Sequence, residues 1–322
     1  MKEQPERVQF GEEEAAVLSI LSDAAEANQS QLSVEEIARL MSSGASADEV
    51  EMALQSSFAI RQRFELNSGL LTVRGSPPER SADLATLETS RRRIRAIGYL
   101  RLADELADGW CRFGAKMASV SGSVSYLSAK EGDDIDMFCI AGRDMLWPFL
   151  FRATLLKLAR RLICRSMPEL CFSCLMDERY ALRAFSTPED PLFARDALTA
   201  VVLRGSPYYL SLMARAGWMA SYFPLLYQSR LGSSTPPAAP PRPHGGASAR
   251  VVNMLFYATI GSVVRLKAHL LNRRFLAEGR PSRVFVARIG PDHLLYESRR
   301  YSGLRAIYSR LERDAKGVAW EK

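Results

Sequence analysis

Val120-Ser-Gly-Ser-Val-Ser-Tyr-Leu-Ser-Ala-Lys-Glu-Gly-Asp-Asp-Ile-Asp-Met-Phe-Cys-Ile140 joins a Gly-Ser at the end of one apolar run to an Asp-x-Asp at the start of another. Successive strand residues point to opposite faces, so Asp134 and Asp136 share a face while Ile135 takes the other. The apolar residues that follow, from Met137 to Ile140, predict a buried strand with acids only at its mouth. Carboxylates in such a place need a partner, and a hard divalent cation, Mg²⁺ or Mn²⁺, supplies one.

The upstream run Ala118-Ser-Val-Ser-Gly122 predicts a second short strand. Gly122 lets the backbone approach a phosphate closely, and Ser123 opens the next turn with free N–H groups and a hydroxyl. Together these residues form a candidate nucleotide site: Asp134 and Asp136 as catalytic metal ligands, Gly122 and Ser123 as the phosphate anchor.

The segment resembles the DNA polymerase β-like nucleotidyltransferase superfamily, whose signature is Gly-Ser, a short helix and then Asp-x-Asp. From about Leu87 to about Gln228 the layout is similar to prokaryotic nucleotidyltransferase-domain proteins in which a winged-helix-like module precedes the core. The shared features are a basic helix before the first strand, Asp134-Ile135-Asp136, Leu146-Trp147 and a later Leu170-Cys171. The resemblance implies an α/β (α+β) mixed-sheet core. It also implies transfer of a nucleoside monophosphate from a nucleoside triphosphate to an acceptor, which can be a protein, an RNA or a small molecule. A catalytically weak or inactive nucleotide-binding regulator, with DNA binding through the winged helix as one form of it, is the alternative reading.

The superfamily pattern has a third carboxylate on a later strand. The matching strand here, Glu169-Leu-Cys-Phe-Ser-Cys-Leu-Met176, has no acid in its middle. Strict alternation places Cys171, Ser173 and Leu175 on one face, with Ser173 close to where the third acid would lie. Asp177 follows the strand and is the nearest acid that could reach the site from its end.

Charge is divided unevenly along the 322 residues, whose net charge is +7. Residues 1–85 hold 15 Asp/Glu and 7 Lys/Arg, whereas the remainder holds 21 and 36. A basic core suits a polyanionic ligand. Five cysteines in mostly apolar surroundings argue for reduced thiols, and the three histidines lack ligand spacing. An apolar content of 47% supports real cores. No charge-free apolar run approaches the roughly 20 residues of a membrane span, and the Glu-rich start lacks the regions of a signal peptide. A soluble cytoplasmic protein without a membrane partner is expected.

Residues 1–80 read as the winged-helix-like module. Glu12–Ala27 has helical spacing, Ser33-x-x-Glu36 and Ser46-x-x-Glu49 are capping boxes, and Phe58–Leu66 with Leu70–Arg74 predicts a hairpin across Asn67-Ser-Gly69. The would-be recognition helix carries Asp48, Glu49 and Glu51 and no Lys or Arg, which disfavours DNA as its partner. Residues 84–200 form the expected nucleotidyltransferase core, with helices over 84–109 and 144–163. Residues 201–322 form the expected helical C-terminal region, with a disordered loop near 232–249 rich in Pro, Gly and Ser, a strand over 284–289 and a last helix over 297–311.

Overall fold

The computed structural model describes residues 32–41, 45–56, 64–67, 70–73, 82–164, 167–188, 190–232, 246–281 and 284–298. The expected helix over 12–27, most of the Pro/Gly/Ser loop and most of the last expected helix lie outside these residues. The chain divides into two compact units. One gathers Met1–Arg92, Trp218–Gly232 and Ala306–Lys322; the other holds Arg93–Gly217 and Ser233–Arg305.

In the first unit, helices α1 (Val34–Leu40) and α2 (Ala47–Ser56) pack together over Ile37, Met41, Val50 and Leu54. Both begin where the capping boxes predict. Ser33 Oγ accepts from Glu36 N at 3.1 Å while Glu36 Oε2 accepts from Ser33 N at 2.8 Å. The Ser46 and Glu49 pair does the same at 3.3 and 2.7 Å. Each box satisfies two N–H groups that a helix start leaves without partners. Strands β1 (Leu32–Ser33), β2 (Phe64–Asn67) and β3 (Leu70–Val73) form an antiparallel sheet in the order β1-β3-β2; β2 and β3 pair where the hairpin is predicted, while positions 58–63 of its expected first strand lie outside the described residues.

The second unit is built on a six-stranded mixed sheet. Its strands are β4 (Ala115–Ser121), β5 (Ile135–Ala141), β6 (Leu170–Asp177), β7 (Val201–Arg204), β8 (Phe285–Ile289) and β9 (His293–Ser298), in the order β7-β4-β5-β6-β9-β8. Among the described strands only the β5–β6 pair is parallel. That pair needs a crossover, which α5 (Leu146–Ile163) provides after the short turn α4 (Gly122–Ser125) has joined β4 to β5.

Helices cover both faces of the sheet. On one side Trp110, from the long helix α3 (Ala82–Arg112), and Phe149 of α5 meet Phe172 edge-on at 5.4 and 6.2 Å. On the other side Phe138 contacts Phe185 of α6 (Glu178–Ser186) and Phe193 of α7 (Pro191–Thr199). This follows from β5, whose residues from Met137 to Ala141 are fully buried and therefore need cover on both faces.

Two differences from the sequence reading concern the sheet. Region 201–322, expected to be helical apart from a strand over 284–289, supplies β7 and β9 as well as that strand, β8, and β9 pairs with the edge of β6 that would otherwise stay open. Glu297 accordingly lies in a strand. Within β6 the register against β5 shifts between Cys171 and Cys174. Alternation therefore changes phase, and Leu175 joins Leu170 and Phe172 in the core instead of sharing the face of Cys171.

After α8 (Ser206–Met213) and α9 (Pro224–Leu231), the helical path resumes as α10 (Ala247–Phe256), a π turn at Tyr257–Gly261, and α11 (Ser262–Ala277). By length and composition this span is long and apolar enough to cross a membrane. Two asparagines fasten it to its unit. Asn253 accepts from Trp147 N at 3.0 Å and donates to Pro291 O at 2.9 Å, while Asn272 donates to Phe285 O and accepts from Phe285 N.

Candidate metal centre

Antiparallel pairing of β4 with β5 sets Ser121 opposite Asp136, so the turn that follows Ser121 lies against the acids. Gly122 occupies the left-handed region at φ 68°, and a methyl group there would come to 2.7 Å from Asp136 Oδ2. Only glycine combines that backbone angle with that approach. The Gly-Ser and the Asp-x-Asp, 12 residues apart between Gly122 and Asp134, thus become one site.

Ile135 is fully buried, whereas Asp134 is exposed and Asp136 half-buried on the opposite side. Parallel pairing of β5 with β6 adds Cys171 opposite Asp136. One carboxylate oxygen from each aspartate and the Cys171 Sγ lie within 4.8 Å of one another. Such a set fits one divalent cation. Ser173 Oγ donates to the Met137 carbonyl oxygen at 3.4 Å and lies near enough to the Asp136 carboxylate to favour its ionised form. The site therefore includes Ser173, on the strand face expected to look toward Asp134 and Asp136.

Electrostatics here favour the protonated acid. Burial, then the neighbouring Asp134 and Asp196, push Asp136 up to about 8. Asp134 is raised by burial and by Asp133 and Glu169. Asp134 nonetheless keeps contact with water, being exposed. Burial and the two aspartates also raise the Cys171 thiol. A bound cation would reverse all three preferences, since its charge favours carboxylate and thiolate.

The supporting residues are fixed from several elements. Asp133 Oδ2 accepts from Ser123 Oγ at 3.0 Å and from Lys130 N at 2.8 Å, which ties the acidic loop to the Gly-Ser turn. The Ser123 hydroxyl, expected to face a phosphate, is thus directed at Asp133. From α3, Arg95 donates to Ala129 O at 3.1 Å and braces the same loop. Lys157 of α5 donates to Leu170 O, lies 3.6 Å from Glu169, and is the cation whose charge acts on Asp134 and Cys171.

Asp177 is placed elsewhere. It pairs with Ala141 at the far end of the β5–β6 ladder, six residues beyond Cys171, or about 20 Å along the strand. It is buried, accepting from Tyr180 N at 2.8 Å as the cap of α6 and from Asp144 N at 3.3 Å. The geometry gathers Gly122, Ser123, Asp134, Asp136 and Ser173 and leaves Asp177 out.

Sequence reasoning missed Cys171 as a donor and Asp196 as a neighbouring acid. Cys171 was legible from the parallel register once β5 and β6 were aligned at their starts. Asp196 had no such signal. It comes from α7, pairs with Arg195 at 3.4 Å, and is close enough to Asp136 to oppose its ionisation. No protein-family model, curated protein or solved structure matches the chain.

Proposed function

We propose that the protein is a metal-dependent nucleotidyltransferase that moves a nucleoside monophosphate from a nucleoside triphosphate to a hydroxyl or phosphate acceptor. The observation carrying this reading is the close approach of Gly122 to Asp136, which makes one site of a glycine turn and a carboxylate pair. The first unit is read as a winged-helix-like module that contacts protein, because α2 presents Asp48, Glu49 and Glu51 and no cation.

In this reading Asp134, Asp136 and Cys171 hold a divalent ion, Mg²⁺ or Mn²⁺. A bound ion would supply charge neutralisation at the reacting phosphate. Gly122 leaves room for the phosphates beside Asp136. Asp133 keeps the Gly-Ser turn in register with the acidic loop. Asp196 is the carboxylate outside the donor set that lies nearest in effect to Asp136, and it is the candidate to accept the proton of an attacking hydroxyl.

Calorimetry with each nucleoside triphosphate, with and without Mg²⁺ or Mn²⁺, tests the site. Asp134→Asn and Asp136→Asn are expected to weaken metal-dependent binding while leaving thermal unfolding cooperative. Equal affinity in both variants and the parent would remove the proposal. Pyrophosphate release in the presence of cell extract as acceptor source then tests turnover. A second reading, nucleotide binding without turnover, draws support from Cys171 and Ser173, which stand on β6 where the superfamily resemblance calls for a carboxylate. Nucleotide binding without pyrophosphate release would favour it.

A further inference from the structure

The α10–α11 span touches its unit along a narrow line. Asn253, Gly261 and Ala268 are its buried positions, about two turns apart. Only 11% of its most apolar stretch is buried, unlike a core helix. Away from that line Val251, Leu255, Val263, Leu266 and Leu270 are each between 55% and 65% exposed. Helix α5 lies beside it, joined through Phe151 and Phe256 with ring centroids 5.4 Å apart. It exposes Leu155, Leu158, Leu162 and Ile163, the last two above 80%. A two-helix apolar face of this extent is unusual on a free-standing surface.

Its charge is one-sided. Neither α5 nor the α10–α11 span contains an Asp or Glu. Arg152 and Arg161 on α5, with Arg250, Lys267 and Arg273 on the other span, are exposed and have no acidic partner among the described residues. An open groove there is lined by Val263, Leu266, Leu270 and Leu271 with Lys267 and with Arg274, which pairs with Glu278 at 2.7 Å. Apolar side chains beside uncompensated cations match a surface that is itself apolar beneath a layer of anions.

We propose that this face docks the protein on the surface of an anionic phospholipid bilayer. The apolar residues of α5 and α10–α11 enter the headgroup boundary and the cations meet lipid phosphates, against the sequence-based expectation of no membrane partner. The span lies in the plane of the surface and does not cross it. Asn253 and Asn272 fasten it to the sheet, and Arg265 and Lys267 interrupt its apolar run. A second copy fits less well because a twofold contact would bring these cations face to face. A nucleic acid would leave the leucines against a polar backbone.

The test is co-sedimentation of the full chain with phosphatidylcholine vesicles and with vesicles containing about one-third phosphatidylserine. Binding to the second, weakened by salt, is expected. Val263→Glu with Leu266→Glu should lower the bound fraction about tenfold or more. Both positions are exposed, so the fold should survive; Lys267→Gln with Arg273→Gln provides a second pair that must show the same direction of loss. Absence of parent binding to anionic vesicles, or equal binding by all variants, would overturn the proposal. So would a dimer that the glutamate pair dissociates, or nucleic-acid binding lost in the same variants, with no vesicle binding in either case.

Discussion

Gly122 and Asp136 are in direct contact: a methyl on the glycine would stand 2.7 Å from a carboxylate oxygen and 3.4 Å from its carbon. Gly122 opens α4 and Asp136 lies in β5, and they meet because Ser121, the residue before the glycine, pairs with Asp136. This contact makes the glycine part of the proposed site as well as a turn residue.

Gly122→Ala should therefore lose metal-dependent nucleotide binding with a modest loss of stability. The left-handed backbone costs about 1–2 kcal/mol for a residue with a Cβ, and the methyl displaces Asp136. Gly205→Ala is the contrasting variant. At φ 83° its Cβ would lie 2.1 Å from the Lys116 carbonyl oxygen and 2.9 Å from the Met117 Cα, both backbone atoms. It should unfold the second unit, while Gly122→Ala remains folded. Thermal unfolding with calorimetry on the two proteins separates these outcomes.

The pH dependence follows from Asp136. Its folded pKa of about 8 lies above the ordinary value, chiefly through burial and next through Asp134. Between about pH 4, where the unfolded carboxyl titrates, and pH 8, the metal-free folded state holds the extra proton. Its stability then falls as pH rises through that window. Asp136→Asn cannot ionise, so it should lack this slope and gain most over the parent near pH 8. Metal affinity of the parent should rise over the same window, since the ion must displace the proton. Urea unfolding of both proteins at several pH values decides the matter; a difference that does not change with pH would contradict it.

In the proposed site Cys171 should shape the choice of metal. A thiolate is a soft donor, so the parent should bind Mn²⁺ more tightly than Mg²⁺, while Cys171→Asp should shift the preference toward Mg²⁺. Ser173→Asp adds a carboxylate beside Asp136 and should raise metal-dependent pyrophosphate release if the parent turns over weakly. Calorimetry with each ion reads the first effect, and the release assay reads the second. An unchanged order of metal affinity in Cys171→Asp would exclude the thiol from the donor set.

The capping box of α1 predicts a local cost unrelated to the site. Ser33→Ala leaves Glu36 N without its acceptor and should destabilise the first unit by about 1 kcal/mol without changing nucleotide affinity. Thermal unfolding reads the change, and a loss of nucleotide affinity would link the two units in a way that the cap does not explain.

Much of this was legible in the chain. Both capping boxes, the hairpin around Asn67, the strand after Asp136 and the helix after Leu146 follow from local patterns, because hydrogen-bonding side chains at short spacing and apolar periodicity act within a few residues of themselves. The one-face placement of Asp134 and Asp136 is equally local, a consequence of the two-residue strand period.

Pairing between distant segments was not legible, because it depends on which edges remain open after the local elements form. The phase of β6 changed at a bulge that no residue in 170–177 announces, and β9 closed the sheet from a region read as helical. Asp177 looked near in sequence to Ser173 yet stands at the opposite end of its strand, because a strand advances about 3.3 Å per residue. Cys171, by contrast, reached Asp136 through parallel register alone. The sequence by itself determined which residues could carry the chemistry and the local conformation of each. The tertiary structure decided which of them meet, since contact between strands is set by register and by burial of a shared core, and neither is encoded within one segment.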